Sequence, residues 1–130
     1  MTTKRSHKIL KILLVLAALL FIFMGYRWVV FPQGAADAQL MPLLSGTGLS
    51  SQVADLGALF LGMGIMIVLF LVTAKRTWLY APALLLLMIA AFRVIAWILH
   101  GAVLIPPMIV VEMVIGCLLL FAAKRLGVNE

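Results

Sequence analysis

The sequence predicts an all-α integral membrane protein, a four-helix bundle with both termini in the cytoplasm. Three observations carry that prediction. Apolar residues make up 66% of the 130-residue chain and charged residues only 11%, against roughly 45–50% and about 25% in soluble domains. The apolar residues fall in four continuous runs, each about the 20 residues that a helix needs to cross a bilayer. The basic residues gather at alternate ends of those runs. So few charges cannot cover a water-facing surface, which excludes a soluble globule, a disordered chain and a disulfide scaffold. Continuous runs of this length also exclude a transmembrane barrel, whose strands of about 10 residues alternate polar and apolar.

The first span is read as residues 9–30, behind a basic tail and ending at Phe31-Pro32. A segment holding Pro32, Gly34, Pro42, Gly46 and Gly48 follows. It is the one sizeable extramembrane connection, and residues 38–44 are expected to lie on the membrane as a short apolar piece. Ala36-Asp37-Ala38 has the small-residue pattern of a signal-peptide cleavage site. The preceding run is long enough to span and the pattern lies well past its end, so the run is expected to be retained. The second span covers 53–74 and is stopped by Lys75-Arg76. The third covers 78–99 and ends at His100-Gly101. The fourth covers 102–123 and is stopped by Lys124-Arg125. Residues 1–130 thus make a single four-span membrane domain. A span of about 22 residues is about 33 Å long as a helix, matching a hydrocarbon core of about 30 Å. The two later connections are minimal, so spans two, three and four should pack as antiparallel neighbours. Pro106-Pro107 should kink span four or delay its start.

The basic residues set the orientation. Lys4, Arg5, Lys8 and Lys11 precede or open span one, Lys75 and Arg76 separate spans two and three, and Lys124 and Arg125 follow span four. These three places share one side of a four-span topology, which the positive-inside rule makes cytoplasmic. They account for most of the net charge of +6 and can meet anionic lipid head groups, so no nucleic-acid partner is expected. Tyr26, Trp28, Trp78, Tyr80 and Trp97 cluster near span ends, as interfacial aromatics do. Cys117, the single cysteine, lies in an apolar run and reads as a small hydrophobe.

Ionisable groups within a span are costly and mark a functional site or a paired contact. Arg93 lies about 9 Å inside the outer end of span three, and Glu112 about 15 Å inside span four. The spans are joined by a tight turn, and an extended arginine covers the difference in depth. The expectation is an intramembrane ion pair between Arg93 and Glu112. Otherwise Glu112 is simply protonated, because desolvation disfavours the charged carboxylate. His100 is seven residues beyond Arg93 and shares its face. Asp55, near the start of span two, reads either as a helix-N-terminal acid or as a third member of an outer polar cluster with Arg93 and His100. Ala54, Ala58 and Gly62 form a small-xxx-small series, the expected helix-packing face of span two. One histidine and scattered acids do not make a metal site.

Arg93, then His100-Gly101, a proline pair and Glu112 resemble the second half of a small bacterial membrane family, domain of unknown function 4345. The glycine-rich start of span two, from Gly57 to Gly64, is also similar. The resemblance covers about residues 25–123. The family's usual aspartate before the turn glycine is His100 here, and its charged residues at the start of span two are replaced, with Asp55 standing nearby. The resemblance implies four spans in a bacterial cytoplasmic (inner) membrane, and no established activity.

No nucleophile triad, nucleotide-binding loop or zinc signature appears, so no enzyme and no cofactor are expected. The leading functional expectation is a non-enzymatic bundle that binds a lipid or other hydrophobic ligand at Arg93, Glu112, His100 and Asp55, or serves as an accessory subunit. Expected partners are membrane lipids, further copies of the chain or another membrane protein. The alternative is a small oligomeric transporter coupled to protons through Glu112.

Overall fold

The computed structural model describes residues 2–129. Among them the fold is all-α, with no β-strand. Helix α1 spans Thr2–Val30, α2 Pro32–Ala38, α3 Gly46–Ser51, α4 Gly57–Thr73, α5 Thr77–His100 and α6 Pro106–Leu126. A π-helical turn, Gln52–Leu56, joins α3 to α4 without a break. Four helical stretches are long and apolar enough to cross a membrane: Thr2–Val30, Gly46–Thr73, Thr77–His100 and Pro106–Leu126. The architecture is that of a multi-pass, four-helix membrane protein.

The boundaries differ from the expected spans at three places. The first helix runs back through the basic tail, because nothing in that tail interrupts helical geometry once the apolar run nucleates it. The second begins at Gly46, well before residue 53. The fourth begins late, at Pro106. A proline at the first helical position forgoes an N–H that has no intrahelical acceptor there.

The chain forms two compact units, residues 12–68 and a second made of the N-terminal segment through Lys11 together with everything from Leu69 onward. In the first unit α1 lies against α4 at glycines. A Cβ at Gly25 would fall 2.6 Å from the backbone nitrogen of Leu61, and one at Gly64 would fall 2.6 Å from Ile22 Cγ1. Only bare backbone permits so close an approach. Between these contacts the rings of Phe21 and Phe60 stack at 6.3 Å, and Leu14, Met63, Ile67 and Trp28 are fully buried.

This corrects the expected packing face. Ala54 and Ala58 are exposed, and a Cβ at Gly62 would meet nothing within 4 Å. At 100° per residue Gly62 points about 140° away from Gly57, whereas Gly64 lies within about 20° of it. The small-xxx-small spacing is present, but it looks away from α1.

The connection between α1 and α4 is also ordered differently. The short helix is Pro32–Ala38, with Gly34, Ala35 and Ala36 buried, while residues 41–45 are irregular. The side chain of Gln52, almost fully buried, clamps this stretch. Its Nε2 donates to Pro42 O (3.0 Å) and its Oε1 accepts from the N–H of Leu44 (2.9 Å).

In the second unit α5 and α6 form a hairpin. Its tight end is closed by Gly101, at φ 65°, with the N–H of Ala102 donating to Ala96 O. At the opposite end α6 is tied to the connection before α5. The N–H of Val128 donates to Ala74 O (2.9 Å), and Arg76 Nε donates to Gly127 O (3.3 Å). Arg76 Nη2 also reaches Lys124 O, so a cation covers the carbonyl end of α6. Four basic residues, Lys75, Arg76, Lys124 and Arg125, therefore meet at one end of the hairpin.

Candidate functional site: a charge pair in an open hairpin

Burial is concentrated in one part of the α5–α6 hairpin. Leu79, Pro82, Ala83, Leu86 and Ala90 are buried on α5, and Gly116, Leu119, Ala122 and Ala123 on α6. From residue 91 to residue 115 no described residue is buried. Arg93 and Glu112 stand at this transition. Arg93 follows Ala90 by three residues, and Glu112 precedes Gly116 by four. Each is therefore the next side chain along a packed stripe.

Arg93 Nε donates to Glu112 Oε1 at 2.8 Å. The two partners differ in access: the Arg93 side chain keeps 30% of its exposure and that of Glu112 keeps 13%. Glu112 Oε2 is fully shielded and accepts no hydrogen bond from the described residues. A guanidinium has five N–H donors. One is used here, and those on the two Nη atoms find no acceptor among the described residues. The pair is a dipole with its negative end sealed and its positive end open.

The structure places the other two candidates differently. His100 is exposed at the last position of α5, on the stripe of Arg93, and its ring joins no hydrogen bond or ion pair among the described residues. Asp55 lies in the π turn of the other compact unit and is exposed. Because the helix begins at Gly46, Asp55 is not in its first turn, and the reading as a helix-N-terminal acid loses its basis. Arg93 and His100 lie in the second compact unit.

Two residues were not singled out from sequence. Gly116 is a site residue by packing: a Cβ there would lie 3.0 Å from Leu87 Cδ2. Its signal was present, a glycine one turn beyond an intraspan glutamate. Gln52 had no such signal, because its partners are two backbone groups and a thioether sulfur in an irregular loop.

Residues 9–123 match the family described as a domain of unknown function, DUF4345. The chain belongs to this family. The match contains the two middle membrane-capable helices and most of the first and last, with both Arg93 and Glu112. No curated protein and no solved structure matches the chain.

Proposed function

We propose that this DUF4345 protein is a non-enzymatic membrane protein that holds the polar head of a lipid or another hydrophobic ligand at the Arg93–Glu112 pair. One observation supports the reading above the rest: the pair keeps unused donors on its open side, in a hairpin segment where no described residue is fully buried. An amphiphile fits such a place, its head at the charges and its tail along the exposed apolar positions nearby. The pair lies within the membrane on this reading, since Arg93 and Glu112 stand inside helices of spanning length. The clustering of Lys75, Arg76, Lys124 and Arg125 at the far end of the hairpin supports cytoplasmic termini. The setting we assign is a bacterial cytoplasmic membrane, with lipids as the partners and no nucleic acid.

The test is native mass spectrometry of the detergent-purified protein beside the double variant Arg93→Gln/Glu112→Gln, which removes both charges without stranding either. The double variant should lose the retained amphiphile while its helical circular dichroism stays unchanged. An identical retained profile in both proteins overturns the reading.

The second reading is a small oligomeric transporter coupled to protons at Glu112. The shielded, unpartnered Glu112 Oε2 favours it, because an oxygen without a donor is a place for a proton. It predicts a proteoliposome flux that follows a pH gradient and disappears in Glu112→Gln.

A further inference from the structure

Resting on the lipid-binding reading, we infer that the ligand is an anionic phospholipid, its phosphodiester held by a stripe of donors on α5: Arg93, Trp97 and His100. The three residues are spaced i, i+4 and i+7. At 100° per residue they fall within about 60° of arc, on one face of the helix. All three reach the surface: Arg93 by 30%, Trp97 by 49%, and His100 at the helix end. None has an acceptor for its outward N–H groups among the described residues.

The deep end of the stripe offers donors only. An indole N–H and a guanidinium fork give hydrogen bonds and take none, while a neutral imidazole at the helix end gives one and takes one. The nearest acceptors are those of Glu112, and neither is available. Oε1 is taken by Arg93 Nε, and Oε2 is sealed. A head group with an ammonium beside its phosphate would leave that ammonium without a partner. A phosphodiester followed by an uncharged alcohol leaves nothing unpaired. The Nη fork of arginine matches phosphate oxygens in pairs.

The depth suits a lipid. Arg93 lies about 10 Å below the end of α5, and a long cationic side chain reaches toward the interface. Trp97 stands between Arg93 and His100, where an amphipathic ring meets the glycerol level. Val94, Ile98 and Leu99 are exposed beside the stripe and give the acyl chains an apolar wall. Glu112 does not touch the lipid. It is a positioning residue: by fixing Nε it turns the Nη fork outward.

The test uses the whole protein in detergent, mixed with phosphatidylglycerol, phosphatidylethanolamine and phosphatidylcholine of matched acyl chains and read by native mass spectrometry. Phosphatidylglycerol should be retained about tenfold over either zwitterionic lipid, the scale of one charge-assisted hydrogen bond. Arg93→Gln should erase that preference. Trp97→Phe and His100→Leu alter exposed positions that the fold does not use, and each should reduce it several-fold. Glu112→Gln keeps an acceptor for Nε and should preserve the preference, whereas Glu112→Leu should lose it. Lys124→Gln/Arg125→Gln should leave it unchanged. Equal retention of the three lipids, still dependent on the pair, overturns the inference and leaves the lipid-binding reading standing. Retention indifferent to Arg93 and Glu112 overturns both. A preference that follows Lys124 and Arg125 instead moves the site to the other end and overturns the inference.

Discussion

Leu87 of α5 rests on the bare backbone of Gly116 of α6: a Cβ added to Gly116 would stand 3.0 Å from Leu87 Cδ2. It lies beside the stretch from residue 91 to residue 115, in which no described residue is buried. One turn further along α6, Glu112 meets Arg93. The glycine thus sets the helix separation at which a carboxylate and a guanidinium can bond directly.

The pair should behave as a coupled unit. Arg93→Leu and Glu112→Leu should each lower thermal stability in detergent, and the double substitution should cost less than the sum. A coupling energy of about 0.5–3 kcal/mol is the expected range for residues in direct contact. Removing one partner strands a charge, which is worse than removing both. Gly116→Leu should shrink this coupling by spreading the helices. Strictly additive losses in the double-mutant cycle would contradict a direct interaction.

The two glycine faces of α4 should separate cleanly. Gly64→Ala places a methyl against Ile22 and should destabilise the fold by about 1–3 kcal/mol, as overpacking does. Gly62→Ala meets open space and should stabilise the helix by about 0.5–1 kcal/mol. Melting temperatures in one detergent compare them directly. A larger loss at Gly62 than at Gly64 would restore the Ala54–Ala58–Gly62 face.

Gln52→Leu should free the loop that Gln52 clamps. The N–H of Leu44 and the carbonyl of Pro42 lose their partner, at about 1–3 kcal/mol for groups left unsatisfied. Hydrogen exchange should accelerate across residues 41–45 and remain unchanged in α5 and α6. Unchanged exchange at Leu44 would show that other contacts hold the loop.

Ala74→Gly should raise stability. Ala74 sits at φ 58°, where a Cβ costs about 1–2 kcal/mol, while its carbonyl still accepts from Val128. The gain should be smaller than that cost, because glycine also frees the unfolded chain. A lowered melting temperature would mean that the strain at Ala74 is relieved by the ordering of the tail.

Much of this was legible before the fold was known. Long apolar runs specify helices by composition alone, and Arg93 and Glu112 stood out because few charges interrupt those runs. Azimuth was harder to read. In a helix hydrophobic on all sides, period alone does not say which glycines meet a neighbour, so Gly62 and Gly64 looked alike. Helix ends set by backbone-to-side-chain contacts were also invisible. Gly46 starts a helix in a stretch of glycine, serine and threonine because the turn it leads into is held by Gln52 to a loop eight and ten residues upstream.

The π turn has a consequence for the phase of the chain. Along an uninterrupted α-helix, Gln52 would point about 140° away from Gly57. A π turn absorbs one additional residue, so the offset falls to about 40°. The π turn thus takes up one surplus residue and keeps two periodicities in step: the buried amide that gathers the loop, and the glycine face that receives α1. Losing Val53 or Ala54 would preserve every charge and leave a plain α-helical turn with the same offset of about 40°. Gaining a residue there would put the loop and the helix face out of phase, unless a second such bulge took it up.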